Sequence, residues 1–115
     1  MTTTTSGKAR IQMVDPQTIK RWMDQGEAVV YDVREQNEYA AEHIAGTTLV
    51  PLSSFDPSRI QAAGSRKIVL HCRSGNRCGQ AAERLAQAGY AGDLYRMSGG
   101  IIGWREAGLP TKAGG

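Results

Sequence analysis

Lys67-Ile68-Val69-Leu70-His71-Cys72-Arg73-Ser74-Gly75-Asn76-Arg77-Cys78-Gly79-Gln80-Ala81-Ala82-Glu83-Arg84-Leu85 decides how the rest of the chain is read. Ile68, Val69 and Leu70 form a short run too apolar to alternate, which predicts a strand buried on both faces. A helical pattern begins near Cys78, with Ala81, Ala82, Leu85 and Ala86 spaced by three and four residues. Between strand and helix lies a six-residue loop, Cys72 to Arg77, with one glycine and two arginines. A thiol at the mouth of such a loop faces successive backbone N–H groups and a helix N-terminus, both of which stabilise an anion. With two guanidinium groups nearby, Cys72 is expected to titrate well below the free-thiol value of about 8.5 and to be a thiolate at neutral pH.

Working outward, Asp15 offers an N-cap and Pro16 the first helical position, followed by a buried stripe of Ile19, Trp22 and Met23 that Gly26 ends. Ala28 to Asp32 reads as a strand. Short helices are expected from Glu38 to Glu42 and from Asp56 to Gly64, with an extended segment over Leu49 to Leu52 between them. Gly89 stops the helix that follows the Cys72 loop, Leu94 to Met97 is a last strand, and Ser98-Gly99-Gly100 turns into a helix carrying Trp104. Strands alternating with helices imply a three-layer α/β/α domain around a mostly parallel sheet. Ligands of such sheets sit beyond the carboxyl ends of the strands, which is where Cys72 falls.

Composition narrows the function classes. The 115 residues fit one domain with a core of its own. The 14 basic and 11 acidic side chains leave +3 without a basic run, and the few aromatics are not interleaved with arginines, which argues against nucleic acid as a partner. No apolar run approaches a bilayer span, so no membrane partner is expected. Two cysteines six residues apart are no disulfide framework, and no neighbouring cluster has metal-ligand spacing, so neither a metal nor an organic cofactor is called for. A reducing, cytoplasmic setting follows as the default. Residues 1–10 read as a flexible threonine-rich tail, 11–111 as the domain, and 112–115 as a polar C-terminal tail ending in Gly114-Gly115.

Three motifs in order carry a family resemblance. They are Asp32-Val33-Arg34-Glu35 with Glu38-Tyr39 and His43-Ile44-Ala45-Gly46, then the Cys72 loop, then Gly99-Gly100-Ile101-Ile102-Gly103-Trp104 with Gly108-Leu109-Pro110. Together they resemble the rhodanese (sulfurtransferase) family over roughly residues 13 to 110. The resemblance implies a five-stranded sheet. It also implies that Cys72 takes the sulfane sulfur of thiosulfate or a similar anionic donor as a persulfide and passes it to a thiophilic acceptor, cyanide in vitro or a thiol in cells. A protein sulfur donor or acceptor is the alternative, making the chain a relay module. Phosphatases and arsenate reductases of related plan place five residues between cysteine and arginine. Here there are four, Arg73, Ser74, Gly75 and Asn76, a cradle sized for sulfur and not for a tetrahedral oxyanion.

Within that reading each residue has a role. Arg77 closes the loop, bonding within it and adding positive potential. Arg73 suits a sulfonate-like group. Gly75 permits a backbone that aims N–H groups inward, and Ser74 and Asn76 act through theirs. Cys78, Asp32 and Arg34 are candidate modulators. Cys78 stands where many members carry a small hydroxyl residue, and it reads either as a semi-buried small side chain or as a partner that closes a disulfide with Cys72. Asp32 is placed to bond loop N–H groups and Arg34 to tie neighbouring turns. Glu38 and His43 read as scaffold. His71 points to the other side of its strand from Cys72, while Gly99 and Gly100 let their turn approach the loop.

Overall fold

The apolar run at Ile68 to Leu70 lies at the centre of the sheet, as its lack of alternation requires. In the computed structural model, which describes residues 3–60 and 64–113, the strands are β1 (Thr3–Ser6), β2 (Ala9–Val14), β3 (Ala28–Asp32), β4 (Thr48–Leu49), β5 (Lys67–His71) and β6 (Gly92–Met97). Their order is β1-β2-β6-β5-β3-β4, parallel throughout except for the antiparallel β1–β2 pair. The five parallel strands are those the resemblance implied.

The sixth is new. Residues 3–6 and 9–10, expected to be tail, form β1 and the start of β2, joined through Gly7 at φ 56°. Ala9, with no exposure, belongs to the core. Threonine is a good strand former, so the same residues that looked merely polar suit a sheet edge. At the other end, Lys112 is also tied in, exchanging backbone hydrogen bonds of 2.8 Å each way with His43. Gly114 and Gly115 lie outside the described residues.

Four helices cover the sheet: α1 (Pro16–Asp24), α2 (Gln36–Ala41), α3 (Asn76–Gln87) and α4 (Gly100–Glu106). Asp15 caps α1 by accepting from the Thr18 N–H at 3.1 Å, and Ile19 is its fully buried residue, with Trp22 and Met23 half-buried. Helix α2 starts two residues earlier than expected because Glu35 and Glu38 form a reciprocal capping box. The helix expected from Asp56 is a single 3-10 turn, Pro57–Arg59; residues 61–63 of the expected span are not described. Alternation along β5 splits the core. Ile68 and Leu70 pack on Ala81, Ala82 and Leu85 of α3, while Val69 faces Ile19 of α1 and Ile101 and Trp104 of α4. Cys72 continues the α3 side, and that parity sets up the site.

Candidate active site

Helix α3 begins at Asn76, so the loop is tighter than the sequence pattern implied and Asn76 and Arg77 belong to the first helical turn. Gly75 makes this possible. It is the N-cap residue in the left-handed region at φ 111°, which side chains disfavour, and its N–H donates to Cys72 Sγ at 3.1 Å. The N–H groups of Ser74 and Cys78 add to the field that favours the charged sulfur. Cys72 is only 1% exposed, held at the base of a ring of donors at a helix N-terminus.

Those dipoles hold the Cys72 thiol down to about 5. The largest contribution is the hydrogen bond from the Cys78 side chain, followed among the lowering causes by the N–H groups of Cys78, Gly75 and Ser74, against the opposing effect of burial. Cys78 is pushed upward in turn, first by its bond to Cys72, then by burial, so it remains a thiol and a donor. The structure thus places both cysteines on Gly75: Cys78, fully buried, donates from Sγ to the Gly75 carbonyl at 3.0 Å.

Arg77 departs from expectation. Its hydrogen bonds are not within the loop, since its guanidinium forks onto Glu38 at 2.6 and 2.9 Å, though its charge does act on Cys72 as expected. The bidentate pair holds the Glu38 carboxyl down at about 2 and joins α2 to α3. A carboxylate three residues into α2 outcompetes loop carbonyls for a guanidinium, because charge-assisted forks are the stronger bonds. Arg73 and Ser74 are exposed at the rim. Arg73 borders a cleft of about 270 Å³ that Arg34, Glu38, Glu42, Ile101 and Arg105 also line.

Asp32 is likewise placed differently. Its buried carboxylate accepts from the N–H of Arg34 at 2.9 Å and from the Arg34 side chain at 2.8 to 3.1 Å, and lies 3.4 Å from His71 Nε2. These partners lie beside the site, and Asp32 bonds Arg34 in place of the loop N–H groups expected of it. Arg34 does tie turns together, reaching the Glu42 carbonyl at 2.7 Å. Removing one member of a buried ion pair typically costs about 3–5 kcal/mol. His71 sits on the α1/α4 side, fully buried, and desolvation pushes it toward the neutral form.

The floor of the loop is backbone on backbone. Ile101 N–H donates to the Cys72 carbonyl at 2.9 Å and Ile102 N–H to that of Arg73 at 3.2 Å. A Cβ on Gly100 would stand 2.4 Å from the Cys72 oxygen, so no larger residue fits there. One residue was missed from sequence altogether. Arg96 on β6 donates from Nη2 to the Gly75 carbonyl at 2.7 Å, and Gly79 leaves it room, since a Cβ there would come within 2.9 Å of that nitrogen. A glycine inside an otherwise regular helix was the available signal.

The arrangement is a buried, low-titrating thiolate in a short donor-lined loop, able to attack a soft electrophile and to carry it. Among the described residues no group of three or more His, Cys, Asp or Glu gathers to hold a metal ion, and no helix is long and apolar enough to cross a membrane. The profile of the Rhodanese-like domain family matches residues 15–107. A protein described as a sulfurtransferase in Allochromatium vinosum is 31% identical over 90% of this chain and 96% of its own length. An uncharacterised protein of Synechocystis is 38% identical over 85% of this chain, which spans only 54% of that protein. A rhodanese-related protein from Thermoplasma volcanium superposes with a TM-score of 0.73 at 27% identity, covering 88% of this chain and 97% of that one.

Proposed function

The chain belongs to the rhodanese-like sulfurtransferase family, and from that premise we propose that it moves a sulfane sulfur from thiosulfate to a thiophilic acceptor through a persulfide on Cys72. The observation that carries this reading is the Cys72 sulfur, buried and held as a thiolate by the Gly75 N–H at 3.1 Å inside a loop with four residues between cysteine and arginine. The thiolate attacks the outer sulfur of thiosulfate, the sulfur–sulfur bond breaks, and sulfite leaves with the bonding pair. Arg73, exposed at the rim, meets the sulfonate. The backbone of residues 73–77 cradles the charge that moves onto the outer sulfur. A second nucleophile then removes that sulfur and restores the thiolate. A reducing compartment such as the cytoplasm keeps both thiols free for this cycle.

Burial of the inner sulfur supports transfer of small groups: an acceptor reaches the outer sulfur without entering the loop. Thiocyanate formation from thiosulfate and cyanide tests the proposal. Parallel lines in double-reciprocal plots and complete loss in Cys72→Ala are expected. Hydrolysis of a phosphate ester in place of thiocyanate formation would contradict it. Persulfide uptake from a protein donor with no turnover of thiosulfate would replace it with the relay reading.

A further inference from the structure

Cys78 is the chain's other thiol, and the transfer cycle does not consume it. Gly75 joins the two cysteines. Its N–H donates to Cys72 Sγ at 3.1 Å and its carbonyl accepts from Cys78 Sγ at 3.0 Å, so the sulfurs flank one residue. That carbonyl also takes Arg96 Nη2 at 2.7 Å, a charge-assisted bond that a weak S–H donor does not match. The carbonyl's two lone pairs hold both donors, so the Arg96 charge stands beside the Cys78 thiol.

The Arg96 side chain is unusual in itself. Its Nε is buried without an acceptor, and no carboxylate pairs with Arg96 among the described residues. Its charge acts on Cys78, favouring the thiolate. The absent side chain at Gly79 makes the space for it. A half-buried cation beside a buried thiol, itself beside the nucleophile, is more than a small residue filling a core needs.

We propose that Cys78 is a resolving thiol, which attacks the inner sulfur of a Cys72 persulfide, closes a Cys72–Cys78 disulfide and expels the carried sulfur as sulfide. This rests on the sulfur-transfer reading. The S–H bond of Cys78 and the bond from Cys72 to the outer sulfur break, and the Sγ–Sγ bond forms. The proton ends on the outer sulfur, which leaves as hydrosulfide. That sulfur gains two electrons, and the two cysteine sulfurs supply them. Arg96 stabilises the charge that develops on Cys78 during attack. An external thiol or dithiol then reduces the disulfide by exchange. Because Cys72 is buried, Cys78 is placed to reach the inner sulfur where a bulky external thiol is not. Without an acceptor the protein would thus release sulfide, a thiol-driven branch beside transfer.

The test loads the reduced full chain with thiosulfate, removes excess donor, and follows intact mass, a peptide map and free sulfide without acceptor. The expected course is loss of the added sulfur atom, appearance of a linked Cys72–Cys78 peptide, and one equivalent of sulfide. Cys78→Ser is expected to hold its persulfide at least about tenfold longer, with Arg96→Met falling between. A wild-type chain that keeps its sulfur, or loses it with no linked peptide, overturns the proposal whatever the variants do. A wild-type chain that never gains sulfur, from thiosulfate or from glutathione persulfide, overturns the transfer reading and this inference with it.

Discussion

Arg77, on the first turn of α3, and Arg96, on β6, approach the Cys72 loop from opposite flanks. Arg77 follows the cysteine by five positions, yet its guanidinium turns outward and is consumed by Glu38. Arg96 is 24 positions away in sequence and reaches inward to the Gly75 carbonyl, against the thiol that bonds Cys72. The first flank braces two helices and its charge reaches Cys72 from there; the second acts on Cys78, the thiol beside the nucleophile. Closeness in sequence to a reactive residue is thus a poor guide to which partner a side chain bonds. Oriented dipoles without competing partners do more than a charge that already has its counter-ion.

The largest effect should come from breaking the inner flank. Arg96→Met removes the charged donor to Gly75, strengthens that carbonyl's hold on the Cys78 proton, and costs about 1–3 kcal/mol of stability. Cys72 should then titrate above its value of about 5, moving toward the ordinary 9.0. Because the thiolate is the attacking form, sulfur loading in the wild type is flat above about pH 5 and falls below it with the thiolate fraction. In the variant that fall moves to higher pH. Rates of thiosulfate consumption across pH, with thermal unfolding alongside, read both effects.

Gly79→Ala separates the two contributions. Alanine favours the helix by about 1 kcal/mol, but its Cβ would stand 2.9 Å from Arg96 Nη2 and displaces the guanidinium. Stability should change little while the loading midpoint rises. A midpoint that stays at the wild-type pH would assign the inner flank a purely structural role.

Glu38→Gln, on the outer flank, should do the reverse. The pair is about a quarter exposed, so its loss costs about 1 kcal/mol, and Cys72 should titrate nearly as before. The sign with pH follows from the lowered carboxyl. Glu38 titrates at about 2 against an ordinary 4.5, so its contribution is complete above 4.5 and is lost as pH falls through about 2. Acid unfolding curves of wild type and variant should therefore converge toward pH 2 and differ most at neutral pH.

Much of the inner architecture was legible before any coordinates. The unalternating Ile68 to Leu70 run, the helix over Ala81 to Leu85 and the glycines at 75, 99 and 100 each have one natural explanation, and the fold uses it. Asp15 and Pro16 open their helix as their chemistry dictates. Side-chain destinations were less legible. Arg77 had a choice between carbonyls and a carboxylate that only tertiary placement of α2 resolves. Arg96 becomes a loop residue only once β6 is registered against β5, with Leu70 opposite Arg96. The edge strand at Thr3–Ser6 escaped because its pairing partner, not its own pattern, orders it. Local signals report backbone; partners at long range need the sheet.

Sulfur carried by Cys72 is tested most directly by intact mass after incubating the reduced protein with thiosulfate. A gain of one sulfur atom, removed by cyanide and absent from Cys72→Ala, is the predicted result. A wild type that shows neither the added sulfur nor a Cys72–Cys78 disulfide, or an equal gain in Cys72→Ala, would contradict it.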